Sequence, residues 1–481
     1  MPRDLLDCLG FEKELGLHSA ELNAGVYPYN GPGLAALSRD VESKVASLQR
    51  QAAEEGVRFV SDGMWTIGPE YNTPDGYLTE ATHEEGLTLA ISVSNAVRYH
   101  GFATIPPEPG GRLDFPGATV EADSPGPVGL TTSIQPHYQC RRAADLPDHF
   151  RTAVRLAGPL LAVGVNSPFL PPELYDDADP DPAVLLREGR AEKRVPVYEE
   201  TMNPEDGPPK VRFPRDGDTP EEAVDRIVED GVLVPAEIDA GERSDDAFVH
   251  FRHKHGSYWR WVRPVFGGAT AADANVRIEF RPLPGRPTLP DAVAVVAAFV
   301  GLMTAFHEQD HPARELPWET ARDNFYAAVR EGLDADLAWV TADGERTTDT
   351  DRRYADLFET AVERLVFRGL GENETAERVD PLRRRVDSRL TPAGWKRRSV
   401  AGHLENGATA TEAARRMQRS YIENQAASSA RVTSPGGRSR ESGSRTGRGD
   451  SFPVGPARAA GDATDRSGWL PPPCMRLTAQ I

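Results

Sequence analysis

The chain has 481 residues, a hydrophobic fraction of 39% and a formal charge of −19. That is length for one large domain or two ordinary ones, with an acidic surface that repels nucleic acid and anionic membranes. Six of the 55 basic residues are Lys, and such an acidic, lysine-poor surface predicts a halophilic protein whose self-repulsion is screened by salt. Cys8, Cys140 and Cys474 are too few and too scattered for a disulfide framework or a zinc site. The first residues carry acids and no long apolar run, so no signal peptide is expected. The longest apolar run, residues 292–306, is shorter than a membrane span. These features predict a cytoplasmic protein and leave the oligomeric state open.

In chain order, the first informative stretch holds Glu14 and Glu21, seven residues apart. Two such carboxylates suit Mg²⁺ as hard ligands, and two solvated acids are the plainer alternative. Pro32 and Gly33 open a helix whose apolar stripe is Leu34, Leu37, Val41, Val45, Leu48 and Ala52. Residues 57–60 read as a short strand, 83–100 as a helix and 105–127 as loop. Alternation over 129–140 then puts Thr131, Ser133, Gln135, His137 and Gln139 on one face of a strand. An amide and an imidazole two residues apart can face a metal and a substrate together; a lone satisfied imidazole is the commoner case. Pro136 lacks a ladder donor and argues for an edge position or a bulge.

Residues 149–163 read as an apolar helix ending in the turn Asn166-Ser167-Pro168-Phe169. The acidic, Pro-rich stretch 171–250 reads as a variable insertion with a short helix near 220–230. Tyr258 to Pro264 leads toward the clearest strand of the chain, Val276-Arg277-Ile278-Glu279-Phe280-Arg281. Its even positions are apolar, and its odd positions set a carboxylate between two guanidiniums. That face suits an anionic ligand with a metal, or a solvated charge ladder. Thr288-Leu289-Pro290-Asp291 opens a helix that is apolar all round and therefore buried. Further amphipathic helices are expected over 316–333, 351–370 and 409–424. From 425 onward the chain is rich in Ser, Gly, Arg and Pro, with eight Arg against four acids. It reads as a disordered tail, either an RNA-binding arm or, preferably, a dispensable extension.

Taken together these stretches resemble the second, bacterial and archaeal type of glutamate–cysteine ligase, over residues 11–424. Glu14 and Glu21 are similar to its paired acids, Thr131–His137 to its Ser/Thr-x-Gln-x-His strand, and Asn166–Phe169 to its Asn-Ser-Pro-Phe turn. Trp261 to Pro264 resembles its Trp-x-x-Arg approach, and Arg277 to Arg281 its Arg-x-Glu-x-Arg strand. Arg322-Asp323-Asn324 with Gly332-Leu333-Asp334 resembles one of its helices.

The resemblance implies an α+β fold like that of glutamine synthetase: a twisted, mainly antiparallel sheet with helices packed on it. Residues 1–424 would be the catalytic domain and 425–481 the tail. It implies ATP-dependent ligation through a γ-glutamyl phosphate, with cysteine as default acceptor and another amine as the variant. Glu14, Glu21, His137 and Glu279 would be metal ligands for Mg²⁺. Gln135 and Arg277 would help bind substrate or nucleotide, Arg263 would meet a substrate carboxylate, and Arg281 with Glu279 would serve catalysis. A haloarchaeal source fits the composition. The family's usual first strand, Gly-x-Glu-x-Glu, is not found before the paired acids, and Gly10 to Glu14 only echoes its letters. This predicts either an upstream start or a family member without that strand. The alternative to a working ligase is a non-catalytic or truncated relative that binds ATP or glutamate.

Overall fold

The computed structural model describes residues 4–104, 111–188, 190–203, 208–231, 234, 248–268, 270–433 and 474–480. Its centre is a sheet of seven strands: β1 (Phe11–Lys13), β2 (Ala20–Asn23), β3 (Tyr27–Pro28), β4 (Ile134–Gln139), β5 (Val262–Gly267), β6 (Asn275–Phe280) and β7 (Cys474–Gln480). The order is β1-β2-β7-β4-β6-β5, with β3 pairing the start of β7, and every pairing is antiparallel. The expected α+β class, an antiparallel sheet with helices behind it, is therefore what the chain forms.

Alternation decides the two faces. Phe11, Leu22, Leu477, Met475, Tyr138, Ile278 and Phe280 are all buried on one side. Behind them pack α1 (Gly31–Glu54), α2 (Leu146–Ala162) and α4 (Leu289–Glu308); α3 (Arg194–Met202) lies near the other face. The rings of Phe280 and Phe299 lie 4.5 Å apart across the sheet–helix seam. α4 is the 20-residue helix that length and hydropathy would allow to cross a membrane, yet it is almost wholly buried inside the protein. Its start is set by Thr288, whose hydroxyl accepts from the Asp291 N–H. Thr288→Ala is expected to cost about 1 kcal/mol in chemical denaturation, the usual loss for an N-cap hydroxyl; an unchanged midpoint would show that packing alone defines the helix start.

Pro136 is not at an edge: β4 lies between β7 and β6. The bulge half of the expectation holds instead. His137 is opposite Glu279, yet the Ile134 N–H reaches the Leu283 carbonyl, so the register slips by one residue beside Pro136. The donor that proline lacks would have pointed at this slip. The Arg281 and Pro282 carbonyls at the slip accept from the buried Arg194 guanidinium instead.

Three other expectations need correction. Residues 57–60 form no strand. Residues 83–90 are not helix but part of a hairpin, Ala81–Glu84 with Leu87–Ala90, turned at Glu85 and Gly86, both with positive φ; helix begins at Val97. The stretch 111–121 holds a second hairpin, Arg112–Phe115 with Ala118–Glu121, while 105–110 lie outside the described residues.

The largest correction concerns the tail. A helix, α5 (Ala410–Thr433), runs through the expected boundary at 425, and Gln425 itself donates to the Ser61 and Pro287 carbonyls at 2.7 and 2.9 Å. Residues 434–473 lie outside the described residues. Residues 474–480 then return as β7 in the middle of the sheet, with Met475 and Leu477 buried. Composition averaged over the tail hid one short alternating segment, Met475-Arg476-Leu477-Thr478, whose apolar positions are those of a buried strand. The polar face of β7 presents Arg476, Thr478 and Gln480 beside β4, and no acid. The stretch 171–250 is likewise no mere insertion. It carries the expected helix at Pro220–Glu229, capped by Thr219, but also the buried triplet Glu192-Lys193-Arg194 and α3.

Candidate active site

The polar face of the sheet forms one wall of a cavity of about 360 Å³. β6 contributes Glu279, with Arg281 directly after it; β5 contributes Arg263, β4 Gln135 and β2 Glu21. Glu14 follows β1, Ser133 precedes β4, and Gln480 ends β7. Arg194 and Tyr198 of α3 and Trp261 line it as well.

Glu279 is 4% exposed and stands opposite Arg263 in the β5–β6 register. The Arg263 Nε donates to its Oε2, and the Arg281 Nη1 donates to its Oε1 at 3.0 Å. Burial pushes its pKa up, but the guanidiniums of Arg263 and Arg281 outweigh burial and hold the carboxyl well below the usual range. Glu279 is therefore a permanent anion. Glu21 goes the other way. Burial, then Glu14, Glu279 and Glu12, raise its pKa well above the usual value. Burial works against the Arg281 charge, but Glu279, Tyr198, Glu21 and Glu14 reverse that effect and raise its pKa. Three carboxylates thus share one cavity with guanidiniums on the adjoining strands.

Of the residues singled out from sequence, Glu14, Glu21, Gln135, Arg263, Glu279 and Arg281 line this cavity. His137 and Arg277 share the polar face but not the cavity lining. His137 is buried, and burial with the nearby guanidiniums drops its pKa to about 3 against the pull of Glu279. The ring is neutral. Its Nδ1 accepts from the Arg277 Nε at 3.2 Å, so its Nε2–H donates to the Thr478 hydroxyl at 3.2 Å. Thr478 in turn donates to Asn23, which also accepts from Arg476 at 2.6 Å. Both ring nitrogens are engaged, so His137 ties β4 to β6 and β7.

Sequence reasoning missed several lining residues. Gln480 accepts through its Oε1 from the N–H and hydroxyl of Ser133, both at 3.0 Å, and Gln135 donates to the same hydroxyl at 3.2 Å. The polar alternation of 129–140 already contained Ser133; nothing in the tail composition pointed to Gln480. Arg194 lies over the Trp261 ring at 5.1 Å, and the Trp261 N–H donates to Glu199 at 2.6 Å. Burial raises the Glu199 pKa to about 7 against its bonds from Trp261 and Tyr326. A signal for Arg194 was present: three successive charges beside apolar residues are costly to bury unless each finds a partner.

The donor set fits a hard dication. Glu14, Glu21 and Glu279 offer oxygen ligands, and the pKa of Glu21 is raised first by burial and then by the Glu14 and Glu279 charges, the part that a divalent ion would relieve. A model for the glutamate-cysteine ligase family 2 matches residues 3–427, a range that stops short of β7. No curated protein matches the chain.

Proposed function

The chain belongs to glutamate-cysteine ligase family 2, and from that membership we propose an ATP-dependent ligase that joins the γ-carboxylate of glutamate to an amine, with cysteine as default acceptor. The family implies carboxylate–amine ligation in general; the γ-glutamyl product and the acceptor are the finer reading. The observation that carries it is the clamped carboxylate Glu279, held between Arg263 and Arg281 and facing Glu14 and Glu21 in one cavity.

In this reading a γ-carboxylate oxygen takes the terminal phosphoryl group of ATP, releasing ADP, and the amine then displaces phosphate from the acyl carbon. Mg²⁺ held by Glu14, Glu21 and Glu279 would supply neutralising charge for the phosphate oxygens. Arg281 gives Nη1 to Glu279 and has further donors for the transferring phosphoryl group. Arg263 is fixed through Nε by Glu279 and through Nη1 by the Tyr258 carbonyl at 3.2 Å, which leaves Nη2 for a substrate carboxylate. Ser133, oriented by Gln480, holds Gln135 toward the substrate or nucleotide. His137 and Arg277 support the wall from beside it. An acidic chain of this charge accords with small-molecule substrates in the cytoplasm rather than with nucleic acid.

The test is a product assay with glutamate, ATP, Mg²⁺ and a panel of amines at high ionic strength. A γ-glutamyl amide formed with cysteine is the expected result. Product with a different amine would keep the ligase and change the acceptor. ADP-free mixtures across the panel, from a folded sample that binds ATP or glutamate, would favour the non-catalytic relative.

A further inference from the structure

A second group of ligating side chains lies behind the sheet, away from the cavity. Asp145 ends the short turn Ala143–Asp145 that leads into α2, His149 sits in the first turn of α2, and His307 in the last turn of α4. One ligand atom from each lies within 4.8 Å of the others. The two imidazole rings are 4.4 Å apart, and His149 also meets the ring of Tyr138, on the apolar face of β4, at 4.8 Å. His149 is 3% exposed. Both His149 and His307 keep a buried Nδ1 without a hydrogen-bond partner among the described residues. A buried ring nitrogen left unpaired carries its full desolvation penalty. Two of them side by side, with a buried carboxylate, need a shared partner.

We propose that Asp145, His149 and His307 form a binding site for a transition-metal dication, typified by Zn²⁺, which ties α2 to α4. Two imidazoles and one carboxylate suit Zn²⁺ or Co²⁺ and suit Mg²⁺ poorly, so this site is chemically distinct from the carboxylate-rich cavity. The cations facing the cluster are Arg141, Arg142 and Arg314. Arg142 is the one bound to Asp145, at 3.1 and 2.6 Å to its two oxygens. It uses one lone pair on each oxygen and leaves the others, and its side chain is 63% exposed, so it can yield to an ion without disturbing the core. The site closes a contact between the helix that packs under β5 and β6 and the one that forms the centre of the core, and an ion there would add to stability rather than to the reaction.

The test uses the full chain, stripped with a chelator and then titrated with Co²⁺ and Zn²⁺ in excess Mg²⁺. One equivalent of Co²⁺ should bind, with visible ligand-field bands of nitrogen and oxygen coordination. Zn²⁺ should raise the melting temperature of the wild type. His307→Ala and Asp145→Asn should each weaken binding by about tenfold or more and abolish the melting shift. Asp145→Asn changes no side-chain volume and keeps the test sound if His307→Ala folds poorly. Absence of stoichiometric binding would overturn the proposal. Binding that survives both variants but is lost in Glu21→Gln would overturn it too, by placing the ion in the acidic cavity.

Discussion

Glu279→Gln is expected to slow ligation by about 10²-fold or more per folded molecule, the loss typical of one stabilising group removed from a preorganised site. The amide keeps the shape and one acceptor oxygen but removes the charge that faces Arg263 and Arg281. The same change is expected to cost stability. Glu279 is 4% exposed, and two guanidiniums depend on it; losing one partner of a buried charge group is destabilising, by about 3–5 kcal/mol where the pair is fully buried. Turnover must therefore be normalised to the folded fraction, measured by denaturation of the same sample. A variant that loses stability but keeps turnover per folded molecule would reduce Glu279 to a structural partner of its arginines.

The second large effect is at the C-terminus. Truncation after Thr433 is expected to lower the melting temperature by about 5 °C or more. It removes buried Met475 and Leu477, each worth about 2–5 kcal/mol on truncation of a large core side chain. It also leaves β2 and β4 without their shared neighbour and His137 without its Thr478 acceptor. Leu477→Ala, which is fully buried, should give a graded version of the same loss. A melting temperature unchanged within about 2 °C would restore the tail as dispensable, on a scale of a few degrees per kcal/mol.

What could be read from the sequence follows the range over which each signal acts. Val276 to Phe280 alternates strictly, and that local period predicted both the strand and the faces that its residues take. The capped, apolar α4 was equally legible, because Thr288, Pro290 and Asp291 are local start signals. Alternation also put Glu279 and His137 on the polar faces of their strands, but their direct opposition is a matter of register that alternation does not set. The hairpin at 81–90 is hidden because the apolar spacing from Leu87 onward also fits a helix, which outweighs the turn signal at Glu85-Gly86. Arg194 and Gln480 reach the site only through tertiary placement, one across a register slip and the other on a strand returning from the far end of the chain. The charge run at 192–194 says that Arg194 needs a partner, but no window of neighbouring residues says where either side chain ends up. His137 shows the converse: its residue type suited a metal, yet its neighbours in space, Arg277 and Thr478, use both nitrogens.

The most direct measurement follows an isotope. Glutamate labelled with ¹⁸O in its γ-carboxylate is incubated with the chain, ATP, Mg²⁺ and cysteine at high ionic strength, where the −19 charge is screened. If the carboxylate is activated by phosphorylation, one of its oxygens leaves with phosphate when the amine displaces it. The account predicts one ¹⁸O in the inorganic phosphate for each γ-glutamyl amide formed, and loss of both signals in Glu279→Gln. ADP and amide released with unlabelled phosphate, or labelled phosphate formed equally by the Glu279→Gln variant, would contradict it.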